Sequence, residues 1–137
     1  MENRKSSSSF RPTHIEGLGE VPWGTHCCLF YESPAELTQI LVDFFKAGLE
    51  SNEYCLWVTS GAVSEQTAKT ALLQASAHAE APVRKNQLRI SSTADWYASG
   101  ADFDPEAAIA NWIGEAEQAV ESGFDGLRLA GDPFRPS

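Results

Sequence analysis

Basic residues are scarce in this chain. Ten lysines and arginines stand against nineteen acidic residues among 137, a net charge of -9. A face that holds DNA, RNA or an anionic membrane must be basic, so the deficit argues against direct nucleic-acid or membrane binding. Much of the acid (Glu106, Glu115, Glu117, Glu121) lies along a helical segment, where it reads as a solvated face rather than a docking patch. Long apolar runs are missing as well: none approaches the roughly 20 residues that a bilayer-spanning helix needs. The opening residues MENRKSSSSFRP lack the apolar core of a signal peptide, so a cytoplasmic location is expected. Cysteine is limited to Cys27, Cys28 and Cys55. An odd count without a secretory signal suits reduced thiols, and apolar surroundings suit cysteine as a small buried hydrophobe.

Catalytic punctuation is also lacking. No GxxxxGK[ST] occurs, which removes the phosphate loop of a nucleotide hydrolase. No GxSxG elbow is present either, and no Ser/His/Asp order stands out. No enzymatic activity and no cofactor are expected.

What is present suits one globular domain: the chain is 42% hydrophobic and 21% charged. Residues 1–20, with the serine run Ser6 to Ser9, read as a disordered tail or linker, and residues 21–137 as the domain. His26–Tyr31 is short, apolar and followed by a helix-start signal, and predicts a buried strand. Ser33-Pro34-Ala35-Glu36 combines a capping box with proline at the first helical position. Leu37, Ile40, Leu41, Phe44, Phe45 and Leu49 then form one apolar stripe, and the helix should end near Ser51-Asn52. Tyr54–Thr59 reads as a second buried strand. A helix follows over about 64–78, with Pro82 preventing its continuation. Gln87–Ser91 predicts a short third strand. Asp104-Pro105 starts a third helix whose expected buried stripe is Ile109, Trp112, Ile113, Ala116 and Val120, with Gly123 as its terminal glycine. Gly126–Ala130 is the fourth strand.

Alternation of this kind predicts an α/β fold: a mostly parallel sheet of four strands, or slightly more, with helices on both faces. Four strands leave exposed edges, which invite pairing with a second copy, and a homodimer or a pure interaction module is one reading.

Several ordered pieces resemble the MEDS sensory domain (methanogen/methylotroph DcmR sensory domain). These are the run HCCLFYESPAELTQILVDFFKAGLESNEYCLWVTS, then Asp95-Trp96-Tyr97, Phe103-Asp104-Pro105, and Gly126-Leu127-Arg128 through Gly131-Asp132. The resemblance covers residues 24 to about 132. It implies a degenerate relative of RecA-like ATPases of the KaiC type. It also implies a sensory role beside bacterial or archaeal transcription regulators or signalling kinases, through a tethered or separate output domain. The ligands it implies are small organic molecules. Members usually continue past the Gly-Asp element, so a truncated or minimal module is expected.

Parallel α/β sheets bind ligands at the carboxyl ends of their strands. Those ends here are Tyr31-Glu32, Thr59, the loop holding Asp95, Trp96 and Tyr97, and Gly131-Asp132. Their rings, carboxylates and hydroxyls suit a small organic ligand, while the same aromatics serve equally as core or loop anchors. In a strand, His26, Cys28 and Phe30 would share one face. His26 with Cys28 supplies two ligands for a soft metal or one partner of a redox pair with Cys55. Zinc needs three or four ligands, so a packed strand is the favoured reading and no metal is assigned. Arg128, inside a strand, needs a carboxylate, for which Glu32 and Asp132 are the candidates, with anion binding as the sharper alternative. The candidate ligand residues are therefore His26, Cys28, Tyr31, Glu32, Thr59, Asp95, Trp96, Tyr97, Arg128 and Asp132.

Overall fold

The computed structural model describes residues 10–59, 61–76, 86–92 and 105–131. Their elements run in the order β1 (Phe10–Pro12), β2 (Glu20–Pro22), α1 (Pro34–Glu50), β3 (Tyr54–Thr59), α2 (Glu65–Ser76), β4 (Leu88–Ser92), α3 (Pro105–Glu121) and β5 (Leu127–Ala130).

Among the described residues the main sheet has three parallel strands in the order β4-β3-β5. Each crossover carries a helix, as parallel connections require. Successive residues of a strand point to opposite faces, and this sorts the two layers. Cys55 and Trp57 of β3, Ile90 of β4 and Ala130 of β5 meet α1 and α2 on one face. There Phe45 stacks on Trp57 at 5.2 Å between ring centroids, with both rings buried. Burying each ring stabilises the fold by about 4–6 kcal/mol of transfer free energy. The opposite face carries α3, which packs on β5.

Local signals set the helix ends. Ser33 accepts the Glu36 backbone N–H at 3.1 Å, and Pro34 opens α1. Ser51 closes the helix, and Asn52 turns the chain in the left-handed region at φ 60° on its way into β3. Gly123, at φ 98°, performs the same task after α3.

Four expectations are corrected. Residues 10–20, expected in a disordered tail, form an antiparallel ribbon with Val21 and Pro22, in which Phe10 pairs with Pro22 and Arg11 with Val21. Arg11 and Thr13 within it are buried. The buried, charge-paired Arg11 anchors this ribbon together with an Arg128 bond to the Pro12 carbonyl, and composition does not reveal such anchors. His26–Tyr31 is not a strand: the segment is irregular and exposed throughout, with Phe30 at 92%. An apolar run states what a segment would bury once paired, but it does not supply the partner strand. The sheet therefore has three strands among the described residues rather than four. Finally, α3 is rotated. Ala108 and Ala119 are its buried residues and the expected Trp112 and Ala116 are half-buried, while the expected Ile109, Ile113 and Val120 are exposed. The small alanines let the helix approach the sheet closely, and that close approach turns the larger side chains to its flank.

Candidate functional site at the carboxyl ends of the strands

The parallel register lines up the ends of all three strands. Thr59 pairs with Ser92, and Trp57 with Ala130, so Thr59, Ser92 and Gly131 lie along one edge of the sheet. Thr59 is buried and its hydroxyl donates to the Ser91 carbonyl at 3.3 Å. Gly131 lies so close to β3 that an added Cβ would sit 3.1 Å from the Val58 side chain.

The start of α1 belongs to the same end. The helix finishes next to the beginning of β3, so its 17 residues run back for about 25 Å, past the carboxyl end of a six-residue strand of about 20 Å. Tyr31 and Glu32 precede this helix. Tyr31 is 41% exposed, and the Glu32 backbone N–H donates to the Glu36 carboxylate at 2.7 Å. The helix start thus combines a hydroxyl cap, two carboxylates and an exposed phenol.

Of the expected site residues, Tyr31, Glu32 and Thr59 are placed at or leading to this end. His26 and Cys28 lie on the exposed irregular segment before it and are not on a strand face. Cys55 is buried, so Cys28 and Cys55 occupy different environments, and both are free thiols. Burial pushes the Cys55 thiol up from its ordinary value of 9.0. The nearby Arg128 opposes that shift and Glu53 adds to it. Asp95, Trp96, Tyr97 and Asp132 lie outside the described residues. Among the described residues no three His, Cys, Asp or Glu side chains converge as metal ligands.

Arg128 is corrected most sharply. Among the described residues its carboxylate partner is not Glu32 but Glu53, at the opposite, amino-terminal end of the sheet. The Arg128 Nε donates to Glu53 at 2.6 Å, one terminal nitrogen to the Phe44 carbonyl at 2.7 Å, and the other to the Pro12 carbonyl at 2.7 Å. Glu53 is 1% exposed and also accepts from Arg11 Nε at 2.8 Å. Arg11 reaches the Ser51 carbonyl and Asp125 as well, and lies over the Trp23 ring at 4.8 Å. One carboxylate thus binds two guanidiniums and fastens the ribbon to the sheet.

Arg11 and Glu53 escape a reading by composition. Glu53 was within reach of a register argument, because Cys55 and Arg128 are direct neighbours and Glu53 lies two residues before Cys55, on the same face. No comparable signal points to Arg11.

In comparisons with known proteins, the family model of the MEthanogen/methylotroph, DcmR Sensory domain (MEDS) matches residues 25–136. No curated protein matches the chain. No solved structure matches it either. No helix among the described residues is long and apolar enough to cross a membrane.

Proposed function

The chain belongs to the MEDS family of sensory domains, and from that premise we propose that it is a non-catalytic cytoplasmic module that senses a small organic molecule. The site in this reading is the carboxyl end of the sheet. Tyr31 supplies an aromatic wall, Glu32 and Thr59 supply polar groups, and Asp95, Trp96, Tyr97 and Asp132 are the further ligand residues of this reading. His26 and Cys28 line its approach. Arg128 serves the site from a distance by holding the start of β5, since its guanidinium is committed to Glu53, Phe44 and Pro12. Binding is read out by a tethered or separate output domain that controls transcription or a signalling cascade, with a homodimer as the working unit. A degenerate RecA-like descent fits parallel strands covered by helices on both faces.

The observation that carries this reading is the family match across residues 25–136, joined to parallel strand ends where α/β sheets take ligands. A thermal-shift panel of small alcohols, halocarbons and nucleotides tests it. Stabilisation by a small organic compound, reduced in Tyr31→Ala, is the expected result. Stabilisation by ATP with magnesium, and by nothing else, would overturn the reading.

A metal or redox sensor is a second reading. It draws on the exposure of His26, Cys27 and Cys28, which leaves all three side chains open to solvent reagents. Stabilisation by zinc alone in the same panel would favour it.

A further inference from the structure

We infer that His26–Tyr31 is a strap that closes, as a fourth parallel strand, onto the edge of β5 that no other described strand occupies. The edge itself is the first observation. The Tyr54 backbone N–H donates to the Gly126 carbonyl at 2.9 Å, and Tyr54 pairs with Leu127. In a parallel ladder that register points the N–H and C=O of Leu127 and Leu129 away from β3, toward the open side. No strand among the described residues pairs there. Unpaired, apolar edges of this kind are normally covered.

The second observation is the flank of α3. At about 100° per residue, Ile109, Val120 and Ile113 lie about 100–140° round the helix from Ala108, which faces the sheet. Glu115 lies slightly to the other side, and it reaches Arg89 of β4 at 3.2 Å. The side of α3 that leans toward β4 is therefore fixed, and the isoleucine stripe leans toward the same edge of β5. Ile109, Ile113 and Val120 are 51%, 54% and 59% exposed. They overhang the position that an added strand would occupy.

The strap is tethered along this edge at both ends. Trp23 packs so tightly over Gly126, at the start of β5, that a Cβ there would sit 2.5 Å from its ring. Ser33 caps α1 at the carboxyl end of the sheet. The chain between them must travel from one end of β5 to the other, in the direction parallel to it. Handedness gives the same answer independently. α1 lies on the face opposite α3 and leads into β3. A right-handed crossover through it needs a preceding strand on the β5 side of β3. Since β5 already occupies the adjacent position, the strand goes outside β5.

Residue chemistry completes the case. The segment HCCLFY places apolar side chains at both parities, as a strand covered by helices on both faces requires. In the open position shown by the structure, Phe30 is 92% exposed. Closure places Phe30 between strand and helix, and carries Tyr31 and Glu32 to the carboxyl end beside Gly131. The strap does not depend on the ligand reading, because its closure is measurable without any ligand.

Hydrogen exchange on the full chain tests it. The backbone amides within His26–Tyr31, and those of Leu127 and Leu129, are expected to exchange at least about tenfold more slowly than free-peptide rates. Phe30→Asp is expected to abolish that protection in the strap and lower the urea midpoint by about 0.5 M or more. Free-peptide exchange across the strap in the unmodified chain overturns the inference, whatever the variant does. Protection that disappears on dilution to the monomer also overturns it, since the edge is then filled by a second copy.

Discussion

Replacing Glu53 by glutamine removes one charge from a buried polar cluster while keeping its volume. Glu53 is 1% exposed and receives Arg11 Nε at 2.8 Å, Arg128 Nε at 2.6 Å and a second Arg128 nitrogen at 3.2 Å. Because glutamine is isosteric, cavity and transfer contributions are small, and the loss reports the charge. Breaking a buried pair by removing one partner costs about 3–5 kcal/mol, because the remaining charge keeps its desolvation penalty. Here Arg128 loses its counter-charge, and Arg11 keeps only the half-exposed Asp125 at 3.4 Å. Each retains backbone acceptors, Ser51 for Arg11, and Phe44 and Pro12 for Arg128. Those carbonyls limit the loss to that range rather than multiplying it. Domains of this kind are stable by about 5–15 kcal/mol, so the variant should fold while losing a large share of its stability. With a urea dependence of about 2 kcal/mol per molar, the midpoint should fall by about 1.5–2.5 M.

The comparison variant is Arg11→Met. It leaves Arg128 and Glu53 as a one-to-one pair and loosens the ribbon, which keeps the Arg128 bond to Pro12, so it should cost about 1–3 kcal/mol. In the double variant the two losses should not add, because the same interaction is removed twice. A Glu53→Gln midpoint within about 0.5 M of the parent, or losses that add fully, would refute the claim that this carboxylate bolts ribbon to sheet.

Three further outcomes follow from the same packing. Gly48→Ala would place a Cβ 2.7 Å from Arg128 Cδ and 2.9 Å from Cys55 Sγ. The strain should cost about 1–3 kcal/mol in urea unfolding despite alanine's better helix propensity, and a stabilised variant would contradict the close approach. In a thiol-reagent titration, Cys27 and Cys28 should react before Cys55, whose release should track global unfolding. Equal rates for all three would show that Cys55 is not sequestered. Stability should also decline above about pH 9. Burial holds the folded Cys55 thiol protonated while the unfolded thiol, at its ordinary value of 9.0, ionises. The unfolded state then binds fewer protons, so the contribution is complete below pH 9 and is lost as pH rises toward the folded value. Tyr54, raised above 10.0 chiefly by burial, acts in the same direction at higher pH. Between pH 8 and pH 10 the parent should lose about 1.4 kcal/mol more than Cys55→Ala. Parallel pH curves for the two would remove Cys55 from the alkaline arm.

Much of the fold is legible in the sequence because its signals are local. The cap at Ser33, the proline after it and the stop at Ser51-Asn52 bracket α1 to within a residue. Tyr54–Thr59 is recognisable as a buried strand because it carries apolar side chains on both faces, as parallel strands do. The third helix is legible in extent but not in orientation. Its wide apolar surface offered two stripes, and the choice fell to the small alanines that fit closest to the sheet.

Of the candidate site, the sequence makes legible only which residues stand at the strand ends. Helix caps and strand ends locate the carboxyl edge with Thr59 and Tyr31-Glu32, whereas the partner of Arg128 depends on which strands are neighbours. A sequence states that a buried arginine needs a carboxylate, but only the parallel register of β3 with β5 selects Glu53. The error at His26–Tyr31 has the same origin. Hydrophobicity states what this segment would bury if it were paired, and in the structure it is exposed, with Phe30 at 92%. Pairing is a relation between two edges, and one edge cannot state whether the other is engaged. The open side of β5, the exposed flank of α3 and the tethers at Trp23 and Ser33 supply the missing half of that relation. If hydrogen exchange finds the strap protected, its apolar composition and its exposed position are two states of one segment; if not, the composition misled.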